Sequence, residues 1–210
     1  STWKNKYALE GEITPDDMHR RMAKEFAKIE IKYAKNYKGD YDELSEYGQE
    51  ISDMIEHSDN DTIVEYIYNL FKNFKYIIPA GSVMATLGSD KLSSLSNCFV
   101  IDSPKDSISG IMNELNNQSQ LMKYRGGVGF DISTLRPMGS TVSNAAKTST
   151  GAASFMDLFS NVTNTIAQNG RRGALMLSMN INHPDIEEFI TKKQDLSKVT
   201  GANVSVQVTD

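Results

Sequence analysis

Two stretches of this sequence could carry chemistry. The first is Gln168-Asn169-Gly170-Arg171-Arg172-Gly173-Ala174-Leu175-Met176, in which two arginines stand between glycines. Glycine frees the backbone and planar guanidinium forks match phosphate oxygens, so the stretch suits a nucleotide phosphate. An exposed basic turn would have the same composition. The second is Cys98, the one cysteine among 210 residues, in Leu95-Ser96-Asn97-Cys98-Phe99-Val100. A lone thiol forms no disulfide within its own chain, so redox chemistry at Cys98 needs a partner thiol from outside these residues. On composition the commoner fate of such a cysteine is a small buried apolar residue. At a strand start beside Ser96 and Asn97 it would instead face a pocket.

Other residues are weaker candidates. Arg125-Gly126-Gly127-Val128-Gly129-Phe130 holds three glycines in four positions. Close-packed backbone N–H groups could cradle an anion there. The glycines precede a strand rather than follow one, so this is not a dinucleotide fingerprint, and a tight helix-to-strand turn explains it nearly as well. Arg136 and Lys123 would add positive charge if the fold brings them near, and Asp106 could accept hydrogen bonds from a ribose hydroxyl. His19 and His57 stand among polar neighbours and read as surface residues. No residue is assigned to a metal.

The elements that position these residues read as two regions. From Thr14 to about Lys75 the pattern is helical. Thr14-Pro15-Asp16-Asp17 is a helix start, with an N-cap threonine, proline at the first helical position and acids in the first turn. Met18, Met22, Phe26, Ile29 and Tyr33 then form one apolar stripe. A second helix is predicted over 42–57 and a third from Asp59, carrying Ile63, Ile67, Leu70 and Phe74. After Pro79 small residues become dense. Short apolar runs at 98–101 and 128–130 read as buried strands, alternating with helical patterns over 107–124, 152–168 and 184–193, the last with Pro184 at its first position. Residues 203–210 alternate like a further strand. Strands alternating with helices imply an α/β layout with a parallel sheet.

Composition sets outer bounds. Apolar residues make up 39% and charged residues 23%, within globular norms. The formal net charge of -5 argues against a general nucleic-acid binder, which would be basic. No apolar run approaches the roughly 20 residues that cross a bilayer, and Ser1 to Lys6 has no apolar signal core. One cysteine fits a reducing compartment, so a cytoplasmic protein without a membrane partner is expected.

The ordered set Pro79-Ala80-Gly81-Ser82, Leu95 to Ile101, Asp106-Ser107-Ile108, Arg125 to Gly129, Leu135-Arg136-Pro137-Met138-Gly139-Ser140, Gly151 to Met156, Gln168 to Met176, His183-Pro184-Asp185-Ile186 and Asn203 to Val206 resembles the catalytic (large) subunit of ribonucleotide reductases. The phrasing is closest to the adenosylcobalamin-dependent class, with the class I large chain as the alternative. The resemblance reaches the N-terminal segment from Trp3 to Glu12 and so covers essentially the whole chain. It implies a helical N-terminal region over 1–76, then the first half of a ten-stranded α/β barrel over 77–210. It makes Cys98 a redox cysteine at the first barrel strand, with Ser82, Asn97 and the backbone at Gly127 lining the substrate site. Asp106 and Arg136 would hold the ribose and phosphates of a specificity effector, a deoxynucleotide or ATP. Gln168 and Arg172 would relay effector identity to the substrate base, and the helix over 107–124 would belong to a homodimer surface. Ser143 stands near the place of a second phosphate-binding arginine.

The same resemblance names what these residues do not supply: a thiyl-forming cysteine on a finger loop and a second redox cysteine. A C-terminal reductase half, in another chain or segment, is the expected partner, together with a ribonucleotide substrate and a thioredoxin-like reductant. The radical would come from adenosylcobalamin or, alternatively, from a dimetal small subunit. The expected function is that of an N-terminal part or split subunit, inactive by itself, which reduces ribonucleotides to 2′-deoxyribonucleotides once completed. The alternative is a non-catalytic nucleotide-binding and dimerisation module built on the same barrel.

Overall fold

A computed structural model describes residues 2–166 and 173–209. The chain divides into two units, Ser1–Leu95 and Ser96–Asp210. The short helix at Gly81–Thr86 therefore goes with the helical unit, past the boundary near residue 76 that the sequence pattern drew.

The helical unit contains α1 (Thr2–Lys6), α2 (Pro15–Asn36), α3 (Glu46–His57), α4 (Asn60–Phe71) and α5 (Gly81–Thr86). Pro15 opens α2 as expected. The Asp17 carboxylate closes the start, accepting the backbone N–H of Thr14 at 2.8 Å and of Ile13 at 2.9 Å. These bonds hold its carboxyl below the usual range. The helix predicted over 42–57 starts later. A 3₁₀ turn covers Tyr41–Glu43, and Ser45 caps α3 by accepting the Gly48 N–H at 3.2 Å. Asp59 caps α4 through the Thr62 N–H at 2.9 Å.

The core of this unit is Met18, Met22, Ala23 and Ala27 of α2 against Ile51, Ile63, Ile67, Tyr68 and Phe71. The predicted stripe fails at its far end, where Ile29 and Tyr33 are exposed. The contact face passes instead through Ala23 and Ala27, whose small side chains let helices approach. His19 corrects a second expectation. It is 4% exposed, with Phe74 edge-on to its ring at 4.7 Å, and burial lowers its pKa. Asn73 and Phe74 adopt left-handed backbone, φ 56° and 53°, in the turn that brings Phe74 to His19.

The second unit is a parallel sheet in the order β1 (Cys98–Val100), β2 (Gly127–Asp131), β3 (Leu175–Asn180) and β4 (Asn203–Gln207). The helices α6 (Ile108–Lys123), α7 (Met156–Ile166) and α8 (Ile186–Lys192) lie between successive strands in the sequence. This is the α/β layout the alternation implied. A 3₁₀ turn at Ala152–Phe155 replaces the expected first turn of the helix over 152–168. Pro184 is not the first residue of α8: Asp185 is its N-cap, and the proline precedes the cap.

One face of the sheet is packed. Val128, Phe130, Leu175, Leu177 and Met179 bury against Ile111, Leu115 and Met122 of α6, Met156 and Phe159 of α7, and Phe189 of α8. Phe130 and Phe159 meet edge to face at 4.8 Å. Gln118, fully buried, ties α6 to α7 by donating to the Phe159 carbonyl at 3.0 Å and to Thr163 Oγ1 at 2.9 Å.

Candidate active and effector sites

Strand alternation sends every second residue to the other face of this sheet. Those residues are Cys98 and Val100 of β1, Gly127, Gly129 and Asp131 of β2, Met176, Ser178 and Asn180 of β3, and Asn203, Ser205 and Gln207 of β4. Cys98 is exposed, Val100 is 92% exposed and Met176 43%. Purely parallel sheets are ordinarily covered on both faces, so this polar and exposed surface is unusual. The composition-based reading of Cys98 as a buried residue is corrected: it opens β1 on the exposed face.

Register places the neighbours of Cys98. It pairs with Gly127, and the Gly127 N–H donates to the Asn97 carbonyl at 2.6 Å. Asn97, Cys98 and Gly127 therefore meet at the N-terminal edge of the sheet. A Cβ on Gly127 would stand 3.0 Å from Ala174 Cβ and 3.2 Å from the Asn97 carbonyl oxygen, so glycine lets three backbones close here. The segment entering β3 reaches this same edge, since the Val128 N–H donates to the Ala174 carbonyl at 2.9 Å. Gln168 and Arg172 lie outside the described residues. Ser82 belongs to the helical unit, in α5, where it is fully buried.

The Arg125-Gly126 step is a helix-ending turn. The Arg125 N–H reaches the Met122 carbonyl at 2.9 Å and the Gly126 N–H reaches Leu121 at 3.0 Å, the Schellman pattern. Arg125, not a glycine, takes the left-handed position, with φ 72°. Gly126 is required for space, because a Cβ would come within 2.7 Å of the Phe99 ring.

The other candidate pair forms at the opposite edge. Asp106 follows β1 and Arg136 follows β2, each beyond the C-terminal end of its strand. Arg136 donates from its backbone N–H to Asp106 Oδ1 at 3.2 Å and from Nε to Oδ2 at 2.8 Å. Its Nη2 lies 3.4 Å from the Asp106 carbonyl oxygen. Both side chains are over a third exposed. The five residues of β2 separate the two edges by about 16 Å. Lys123 does not join this pair. It ends the 16-residue α6, about 24 Å along the helix from the turn that holds Asp106.

Two residues that sequence reasoning took only as a helix start hold the loop after Arg136. The Asp185 carboxylate accepts the Met138 N–H at 3.0 Å through Oδ1 and the Ala152 N–H at 2.8 Å through Oδ2. His183 Nδ1 accepts the Asp185 N–H at 3.0 Å, so Nε2 carries the proton toward the Leu135 carbonyl at 2.9 Å. Both side chains are buried. Gly151 passes beside the Asp185 carboxylate with φ 86°, where a Cβ would sit 2.6 Å from Oδ2.

The family models match both parts of the chain. Residues 1–91 match the "Ribonucleotide reductase, all-alpha domain" and residues 96–210 the "Ribonucleotide reductase, barrel domain". The chain belongs to the ribonucleotide reductase large-subunit family. The vitamin B12-dependent ribonucleoside-diphosphate reductase of Thermoplasma acidophilum is 35% identical over 232 residues, covering 94% of this chain and 30% of that protein. The same-named protein of Mycobacterium tuberculosis is 34% identical over 148 residues, 70% of this chain and 21% of its own length. The ribonucleoside-diphosphate reductase large chain of Neurospora crassa is 30% identical over 133 residues, 62% of this chain and 14% of its length. The chain thus spans under a third of the length of these curated relatives. Its four parallel strands form part of the barrel, and its α1–α5 form the helical region before it. Among the described residues no helix is long and apolar enough to cross a membrane.

Proposed function

We propose that this chain supplies the first part of the catalytic barrel of a ribonucleotide reductase and that Cys98 is one of its two reducing thiols. The observation that carries the reading is the position of Cys98: exposed, on the open face of a parallel sheet, level with the backbone of Gly127. The substrate ribose lies over that face, beside Asn97 and Gly127. The 2′-hydroxyl leaves as water. Two thiols give up two hydrogens and two electrons and become a disulfide, which a thioredoxin-like donor reduces again. The second thiol comes from the remainder of the barrel, in the same polypeptide or another, and its Cα must come within about 7 Å of that of Cys98. The relatives carry diphosphate-reductase names, and a ribonucleoside diphosphate is the substrate class we assign.

The reaction begins with removal of the ribose 3′-hydrogen by a thiyl radical. That thiyl belongs to a third cysteine, because Cys98 is needed as reductant. Relatives named vitamin B12-dependent support adenosylcobalamin as the radical source of the complete enzyme. The cofactor would be held mainly by the complete enzyme, and the role of this segment is to present Cys98 to the ribose. Asp106 and Arg136 hold the ribose and phosphates of a nucleotide effector, Gln168 and Arg172 relay its identity, and the exposed side of α6 contributes to a homodimer.

Cys98→Ser tests the reading. In the complete reductase this variant should lose deoxyribonucleotide formation by at least about 10³-fold, the scale of losing a reacting group, and still bind effector. Turnover within tenfold of the unaltered enzyme would overturn it.

A further inference from the structure

In the effector pair, Asp106 spends one carboxylate oxygen on the Arg136 backbone N–H and the other on Nε. A side-on carboxylate–guanidinium pair uses Nε and one Nη together; here Oδ1 is turned to the main chain instead. The Nη1–Nη2 edge is left to the Asp106 carbonyl at 3.4 Å on one corner, with 38% of the side chain open to solvent. That outer edge is the one that grips two phosphate oxygens at once. Arg136 also stands next to Pro137, in a segment fixed through the Met138 N–H by buried Asp185. Its main chain and its Nε are both held, while its outer edge has only the long contact from Nη2 to the Asp106 carbonyl.

From this geometry we infer that Asp106 is a positioning residue for Arg136, holding the guanidinium so that its outer edge meets phosphate, in addition to any contact with ribose. The inference rests on reading the pair as an effector site. It makes a counterintuitive prediction. Simple electrostatics says that removing a carboxylate beside a phosphate site tightens anion binding. Positioning says the opposite, because a freed arginine must be ordered again at each binding event.

Inorganic tripolyphosphate is the probe, since it has phosphates and no ribose. In the complete reductase, Asp106→Ala should weaken tripolyphosphate binding by about two- to tenfold, the cost of ordering one long side chain. Asp106→Asn, which keeps one acceptor oxygen, should recover part of the loss. Asp102→Asn removes a charge from the same connecting segment without touching Arg136, and should leave the affinity unchanged or tighter. Unfolding midpoints of the variants should match the unaltered protein, because exposed ion pairs add little stability. Unchanged or tighter tripolyphosphate binding by Asp106→Ala overturns the positioning role. Failure of the unaltered reductase to bind either deoxynucleoside triphosphate or tripolyphosphate, or no loss on Arg136→Ala, overturns the effector reading itself.

Discussion

Removing the Asp185 carboxylate should unlock the segment that carries Arg136. Two backbone N–H groups, of Met138 and of fully buried Ala152, end on that one side chain at 3.0 and 2.8 Å. Asp185→Ala leaves both donors without an acceptor. A hydrogen bond to a charged acceptor contributes about 1.5–3 kcal/mol, and a stranded buried donor carries a similar desolvation penalty. The loss should therefore be about 3–5 kcal/mol. For a unit of the size of Ser96–Asp210 that lowers the melting temperature by roughly 12 °C or more. Asp185→Asn keeps one acceptor oxygen and turns an amide donor toward the other N–H, so about half the loss should remain. The assay is thermal and urea unfolding of the two variants beside the unaltered protein, with effector affinity measured in the complete reductase. Both variants should weaken effector binding, since Arg136 precedes the released segment by two residues. A destabilisation below about 1 kcal/mol for Asp185→Ala would refute the view that this carboxylate holds the loop.

Other outcomes follow from particular contacts. Glu114 is 5% exposed, and its Oε1 has no hydrogen-bond partner among the described residues. Burial pushes its carboxyl pKa up, the nearby Asp102 charge adds to this, and the Asn117 side chain opposes it. The folded state then holds the proton more tightly than the unfolded chain, so this group's stabilisation is present below the unfolded value of about 4.3 and lost as pH rises through the folded value. Glu114→Gln should raise the urea midpoint at pH 7–8 and change little at pH 4; a lower midpoint at neutral pH would contradict the burial argument. Gly127→Ala puts a Cβ 3.0 Å from Ala174 Cβ, an overpacking cost of about 1–3 kcal/mol on unfolding, and it should disturb the backbone beside Cys98 enough to lower kcat/KM of the complete enzyme.

Much of the architecture was legible in the sequence because it is written in local chemistry. Thr14-Pro15 and Asp59 mark helix starts through capping, and the strand runs at Cys98 and Val128 are short and apolar, the first after a serine- and asparagine-rich turn and the second after a glycine-rich one. Parallel pairing followed from alternation of strands with helices. What was missed depends on long-range contacts. His19 looks polar by its neighbours, yet a left-handed turn more than fifty residues later brings Phe74 onto it. Ala23 and Ala27 carry the α2 interface because they are small, a property that an apolar-stripe count passes over. Asp185 resembled a helix-start acid, but its carboxylate turns away from α8 to distant backbone donors. Of the candidate site, Asn97, Cys98 and Gly127 lie together because strand starts align in a parallel sheet. Asp106 and Arg136 also met, whereas Lys123 was carried away by the length of its helix.

As a reducing thiol, Cys98 should be oxidised in step with reduction of a ribonucleotide. A single turnover of the complete reductase with a ribonucleoside diphosphate, without external reductant, followed by acid quench, alkylation and peptide mass mapping, tests it directly. Cys98 should be recovered in a disulfide with a cysteine from the rest of the barrel, in proportion to the deoxynucleotide formed. Deoxynucleotide formed in stoichiometric amount with Cys98 still free and alkylated would contradict it.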